Sequence, residues 1–136
     1  MQKIILDTNV IVSSLIQKNY PYLIVEHCIA RNAVMCISNA ILQEYLEVLS
    51  RPKFARFADF KTNAEFLIAR LSEISKIYEP KVKLKIIKDE PDNRLLELAD
   101  VSKADFIVTG NINDFTMEIY NKTKIVTPKE YWEEFK

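Results

Sequence analysis

The run Ile4-Ile5-Leu6-Asp7-Thr8-Asn9 near the start of the chain constrains the fold most strongly. Three β-favouring apolar residues are followed at once by an acid, a hydroxyl and an amide, which predicts a buried strand with polar groups at its carboxyl end. In open α/β sheets, ligands bind at the carboxyl ends of the strands. Asp7 has a simpler alternative role, as the cap of a helix that begins near Val10.

Further apolar runs alternate with segments of helical periodicity along the rest of the chain. The strand candidates are 33–37, 104–109 and 124–126, with short extended pieces expected near 77–78 and 84–87. Such alternation predicts an α/β fold, a three-layer α/β/α domain with a mostly parallel central sheet. A length of 136 residues suits one domain, 1–136.

Several local signals predict individual features of the elements. Ser38 is placed to cap a helix. The core-facing stripe of that helix would be Leu42, Tyr45, Leu46 and Leu49. Thr62 and Glu65 have the spacing of a capping box at the start of another helix. Gly110, the one glycine of the chain, implies a backbone position that would not tolerate a side chain.

Composition narrows the classes of function. Nineteen basic and nineteen acidic side chains cancel, so no global field draws the protein to nucleic acid or to a membrane surface. Met1-Gln2-Lys3 leads directly into a strand and no apolar run is long enough to cross a bilayer, so we expect a cytoplasmic protein without a membrane partner. Cys28 and Cys36 are expected to be free thiols in the core, and His27 a structural residue.

Residues 54–61 combine aromatic and basic side chains. Phe54, Phe57 and Phe60 alternate there with Arg56 and Lys61. The stretch either stacks on a single-stranded nucleic acid or forms a short helix that tucks its rings under the core.

Four acids that are distant in sequence would meet at one edge of the predicted sheet. Right-handed crossovers place Asp7, Asp114 and the loop before Asp92 at the carboxyl ends of the strands. Glu44 reaches that edge only if its helix leans across the top. Each acid also has a plain structural explanation, as a helix cap, a first-turn residue or part of a solvated helix face.

A convergence of these acids would require a cation. Two like charges about 4 Å apart repel by roughly 4 kcal/mol at an effective dielectric near 20. Carboxylate oxygens without thiolates or imidazoles select Mg²⁺ or Mn²⁺. Asp7 and Asp92 are then expected as direct ligands, and Asp114 as a ligand directly or through water. Glu44 is either a ligand or the group that orients an attacking water.

The polar neighbours of these acids would hold the carboxylates and the substrate oxygens in place. They are Thr8, Asn9, Thr109 and Asn111.

The ordered set of these motifs resembles the PIN-domain family, and is similar to its VapC-like toxin branch. The motifs are Ile-Leu-Asp7-Thr8-Asn9-Val, Ser38 leading to Glu44, Asp89-Glu90-Pro91-Asp92-Asn93 before a Leu-Leu-Glu-Leu-Ala helix, and Ala-Asp-Phe-Ile-Val-Thr109-Gly110-Asn111 with Asp114-Phe115. The resemblance implies a metal-dependent ribonuclease that acts on RNA, is silenced by a cognate antitoxin protein and forms a homodimer.

One position departs from the family pattern. Many members carry Asp where this chain has Asn111, so the fourth acid is either Asp114 or absent. The sequence is compatible with two alternatives to a ribonuclease. One is a PIN scaffold that binds RNA or a protein partner without cutting. The other is a receiver-like domain that accepts a phosphoryl group, although Asp7-Thr8 lacks the acidic pair that such a domain needs.

Overall fold

The computed structural model describes residues 1–85 and 90–136, apart from the side chains of Glu90, Pro91 and Asp114. The strands are β1 (Lys3–Leu6), β2 (Val34–Ile37), β3 (Lys76–Ile77), β4 (Phe106–Val108), β5 (Ile119–Tyr120) and β6 (Thr123–Val126). The helices are α1 (Thr8–Ile16), α2 (Tyr20–Ile29), α3 (Asn39–Leu49), α4 (Phe60–Ile74), α5 (Glu90–Ser102) and α6 (Pro128–Glu130). Short 3-10 helices span Pro52–Arg56 and Ile112–Asp114, and a π-helical turn, Tyr131–Phe135, follows α6.

The strands form one sheet in the order β3-β2-β1-β4-β6-β5. Every described pairing is parallel except that of β5 with β6, a hairpin the sequence did not reveal. Helices flank this sheet, and the predicted α/β architecture with a mostly parallel sheet is therefore confirmed.

The first strand lies in the interior of the sheet. The side chains of Ile4, Ile5 and Leu6 have no exposed surface, because β2 and β4 pair with β1 on either side and helices cover it. The backbone N–H of Asp7 donates to the carbonyl oxygen of Val108 at 3.0 Å, one residue beyond the strand. The pairing of β1 with β4 thus extends to the residue that carries the carboxylate.

The rotation of α3 differs from the prediction. Ser38 caps this helix as expected, since its Oγ accepts from the backbone N–H of Ile41 at 3.2 Å. However, Leu46 is 42% exposed, whereas Ile41, Tyr45 and Leu49 are buried. The prediction for Leu46 was wrong because contacts with the core favour the i, i+4, i+8 stripe over the overlapping one.

The predicted capping box at Thr62 was also wrong. Helix α4 begins at Phe60, after Asp59 in a left-handed conformation (φ 59°), so Thr62 lies inside the helix instead of capping it. The ring of Phe60 stacks on that of Phe54 with centroids 4.8 Å apart, so core packing sets the start of the helix. A capping box does occur at Thr127 in α6.

Gly110 does not occupy the restricted position that the sequence suggested. Its φ is not positive, and a Cβ built on it would have no heavy atom within 4 Å. Of the expected extended pieces, β3 covers Lys76–Ile77, whereas Leu84 and Lys85 lie outside regular structure. The remainder of 84–87 is outside the described residues.

Two predictions about the interior agree with the structure. Phe54 and Phe60 are buried, so the aromatic and basic stretch tucks these rings under the core and leaves Arg56 and Lys61 exposed. Cys28 and Cys36 are free and buried.

Within the described parts of the chain, we find no helix with the length and apolarity needed to cross a bilayer.

Tyr45→Phe should test the attachment of α3 to β1. The buried hydroxyl of Tyr45 donates to the carbonyl oxygen of Leu6. Its removal should cost about 1–2 kcal/mol of unfolding free energy and lower the Tm by roughly 3–8 °C. Tyr22→Phe, at a partly exposed ring on α2, is the matched control and should change the Tm little. Equal melting temperatures for the two variants would show that this bond does not stabilise the fold. Calorimetry measures both.

Candidate functional site

Asp7 lies at the carboxyl end of β1, where its side chain is only 6% exposed. Its Oδ2 accepts a hydrogen bond from the Oγ1 of Thr109 at 2.7 Å. Thr109 directly follows β4, the parallel neighbour of β1, so the two residues meet at one edge of the sheet. The central pairing of the sheet therefore positions this carboxylate.

The hydroxyl of Thr109 has a fixed direction. It accepts from the backbone N–H of Asn111 at 3.0 Å while it donates to Asp7. A threonine hydroxyl has a single proton to donate, so the Asn111 contact leaves that proton for the carboxylate. Asn111 thus takes part through its backbone, and its side chain is exposed.

Glu44 reaches the same edge from the middle of α3. Its Oε2 accepts a hydrogen bond from the Oγ1 of Thr8, a buried residue in the first turn of α1. The neighbouring Tyr45 holds α3 against the end of β1 through the carbonyl oxygen of Leu6. The helix therefore leans across the sheet edge, which is the condition that the sequence set for Glu44.

The surroundings of Asp7 disfavour its negative charge. Burial raises the pKa of the carboxyl group, and the charge of Glu44 raises it further. The Thr109 hydroxyl and the backbone N–H groups of Thr8 and Asn9 lower it, but the net pKa lies above the ordinary value of 3.8. Asn9 contributes its main chain here, since its side chain is exposed. A nearby cation would relieve this unfavourable pairing of charges.

Asp92 and Asp114 belong to two other segments. Asp92 is 6% exposed and lies in the first turn of α5, a helix that contacts β1, β2 and α3. Asp114 ends the 3-10 helix that follows β4, next to the buried Phe115. The Asp114 side chain itself lies outside what the structure describes.

The donor atoms that meet at this edge are oxygens. Asp7 and Glu44 supply carboxylates, and Thr8 and Thr109 supply hydroxyls. Among the residues described, no three His, Cys, Asp or Glu side chains are gathered closely enough to hold a metal ion. His27 lies elsewhere, edge-on to the rings of Tyr131 and Trp132. The chemistry of the oxygen donors nevertheless fits a hard dication such as Mg²⁺ or Mn²⁺.

Sequence reasoning missed two contributions to the site. Tyr45 was assigned to the core stripe, and its hydroxyl gave no separate signal. Arg51 and Arg94 line a groove with Glu44, although they come from different elements. A buried tyrosine directly after a candidate acid is a signal that could have identified the first contribution.

Comparisons with known proteins agree with this architecture. A family model described as PIN domain matches residues 3–113. The uncharacterized protein MJ1680 of Methanocaldococcus jannaschii is 30% identical over 142 aligned residues, which cover 98% of this chain and 91% of that protein.

A solved structure shares the fold. It is the crystal structure of VapBC2 from Rickettsia felis bound to a DNA fragment from their promoter, and the match has a TM-score of 0.63 at 18% identity. The match covers 93% of this chain and 98% of the matched chain. Because the family model spans most of the sequence and all the central strands up to β4, the chain belongs to the PIN domain family.

Proposed function

We propose that the protein is a metal-dependent endoribonuclease and the toxin of a toxin–antitoxin pair. The observation that carries this proposal is the approach of Asp7 and Glu44, two carboxylates from different elements, at the carboxyl end of the central strand. Membership of the PIN domain family supports a nuclease. Because the chain belongs to this family, we do not propose the receiver-like alternative.

Asp7 and Asp92 would hold Mg²⁺ or Mn²⁺, with Asp114 as a further ligand directly or through water. When bound, the ion lowers the pKa of a water molecule and neutralises charge on a phosphodiester. Side chains of the protein orient the two carboxylates. Thr109 keeps the Asp7 carboxylate in one orientation, and Thr8 does the same for Glu44. Glu44 either completes the ligand set or orients the attacking water.

The neighbouring structure supports one of the proposed partners, the antitoxin. The VapBC2 structure contains a complex bound to promoter DNA, which supports a cognate antitoxin as partner here. We further propose RNA as substrate, a homodimer as the working form and a cytoplasmic location.

A PIN scaffold that binds RNA or a protein without cutting is the second candidate. Asn111 favours it, because this residue stands where many family members have an acid. Binding of RNA by the wild-type protein in Mn²⁺ without any cleavage would select this alternative.

RNA cleavage should depend on a divalent ion and on Asp7. Purified protein, freed of any antitoxin, should cleave single-stranded RNA in Mg²⁺ or Mn²⁺ and stop in chelator. Asp7→Asn should slow cleavage at least 100-fold, since a lost ligand removes the activated water. Asp59→Asn, at an exposed acid before α4, is the control and should cleave normally. Undiminished cleavage in chelator would rule out the mechanism.

Asp7→Asn should also raise the Tm of the metal-free protein at neutral pH. The raised pKa means that the folded state disfavours the charged form, so the penalty is present above the folded-state pKa. Below the ordinary value of 3.8, Asp7 is protonated in both states and the penalty disappears. The gain in Tm should therefore shrink as the pH falls towards 4.

Added Mn²⁺ should reverse this ranking. The ion should stabilise the wild type, because binding to the folded state alone raises its stability, and should leave Asp7→Asn unchanged. Thermal scans with and without Mn²⁺ measure both effects. A lower Tm for the metal-free variant at pH 7, or equal stabilisation of the two proteins by Mn²⁺, would argue against the role of Asp7.

The loop after β4 offers two substitutions that identify the fourth ligand. Asp114→Ala should reduce the cleavage rate more than Asn111→Ala, because Asn111 acts through its backbone N–H, which alanine retains. Initial rates at saturating Mn²⁺ give the ranking. The opposite order would assign the fourth position to the Asn111 side chain.

A further inference from the structure

A groove between α3 and α5 contains Glu44, with Ala40 and Gln43 before it on α3 and Val48 one turn after it. It is open to solvent and has a volume of about 490 Å³. Glu47 and Arg51 line it on the side of α3, and Arg94 lines it from α5, two residues after Asp92. Along α3 the groove runs from Ala40 past Glu44 to Val48, a rise of about 12 Å, so it passes the candidate active site.

Arg51 forms an ion pair with Glu47 that contributes little to stability. Its Nη2 lies 2.8 Å from Glu47 Oε2, but the two side chains are 48% and 63% exposed. Exposed pairs of this kind contribute little to stability. The Glu47 contact uses Nε and Nη2 of a guanidinium that carries five N–H donors. Arg51 can therefore contact an anion while it remains beside Glu47.

The positive charge continues beyond Arg51. The 3-10 helix Pro52–Arg56 follows directly and carries the exposed Lys53 and Arg56. Lys53 Nζ lies 5.2 Å from the centroid of the Phe54 ring, and Arg56 Cζ lies 4.9 Å from that of Phe57. The two cations are exposed at the surface, each beside the ring that follows it in the sequence. Arg51 in the groove is thus followed along the chain by Lys53 and Arg56 in the 3-10 helix.

We infer that this groove binds the phosphate backbone of the RNA substrate next to the scissile bond. Arg51 and Arg94 contact the flanking phosphate, because guanidinium groups match phosphate oxygens and supply the charge that the neutral protein lacks globally. Glu44 and Glu47 also line the groove and offset the charges of the two arginines, and Glu47 weakens the binding. The inference rests on the proposed ribonuclease function, which it extends from the reacting centre to the path of the substrate.

A second groove, on the other side of Arg51, does not offer the same function. It encloses about 330 Å³ between the end of α3, the 3-10 turn and α4, and its walls include Leu46, Phe54 and Phe60. Arg51 and Lys61 also line it, but its surface is the more apolar of the two and suits a phosphate less well. The groove between α3 and α5, in contrast, contains Glu44, which connects it to the candidate active site.

Arg51→Ala tests the inference, with Arg70→Ala as a matched control. Arg70 is also 48% exposed and forms a similar pair with Glu73, at 3.3 Å, on α4. Arg51→Ala should raise the KM for a short single-stranded RNA about 10-fold and change kcat less than about threefold. Arg70→Ala should change neither. Arg94→Lys should also raise KM, because lysine keeps the charge and loses the planar fork.

Binding measured without turnover separates the substrate path from the chemistry. In chelator, the affinity of Arg51→Ala for a fluorescently labelled RNA should fall, and the slope of log K against log salt should shrink by about 0.7. Glu47→Gln should bind several-fold more tightly, because it removes a negative charge and releases Arg51. This opposite effect is not expected from a merely structural role.

The outcomes distinguish the two proposals. If the wild type cleaves RNA and Arg51→Ala behaves like Arg70→Ala in KM and in salt slope, the groove is not the substrate path and the ribonuclease proposal stands. If the wild type binds RNA without cleaving it, the salt slopes still decide the role of the groove. If the wild type neither cleaves nor binds RNA, both proposals are overturned.

Discussion

The charge of Asp7 is the feature on which the rest of the site depends. This carboxylate is almost completely buried, and a second carboxylate, Glu44, lies close enough to raise its pKa further. The hydroxyl of Thr109 and two backbone N–H groups offset only part of this cost. Carboxyl groups with perturbed pKa values cluster at functional sites, where a nearby cation favours their charged form. The sheet can maintain this arrangement because β1 is held by parallel strands on both sides.

The contacts between the sheet and α3 position Glu44, the second carboxylate of the site. Tyr45 ties the helix to the last carbonyl oxygen of β1, and Thr8 ties Glu44 to the first turn of α1. These contacts join three elements within a few residues of Asp7. The groove between α3 and α5 runs along this helix past Glu44 and reaches Arg51 beyond its end. The candidate active site and the proposed RNA path therefore both include residues of α3.

The sequence predicted the architecture because its signals were local. The apolar run before Asp7 and the alternation of strands and helices were sufficient for a mostly parallel sheet, and parallel strands bring Asp7 and Thr109 together without further information. The errors at Leu46, Thr62 and Gly110 have a common cause. The rotation of a helix, its first residue and the space around a glycine are decided by tertiary contacts, such as the stacking of Phe54 on Phe60, and single-sequence periodicity does not encode them. For the same reason, the position of Glu44 and the joint groove of Arg51 and Arg94 became visible only in the structure.

The central claim is that separate carboxylates hold one hard dication at the end of β1. A crystal structure of the protein soaked with Mn²⁺, with anomalous diffraction recorded, tests it most directly. We expect an anomalous peak within about 2.3 Å of carboxylate oxygens of both Asp7 and Asp92. A fully occupied Mn²⁺ site elsewhere on the molecule, with Asp7 and Asp92 too far apart to share an ion, would contradict the account.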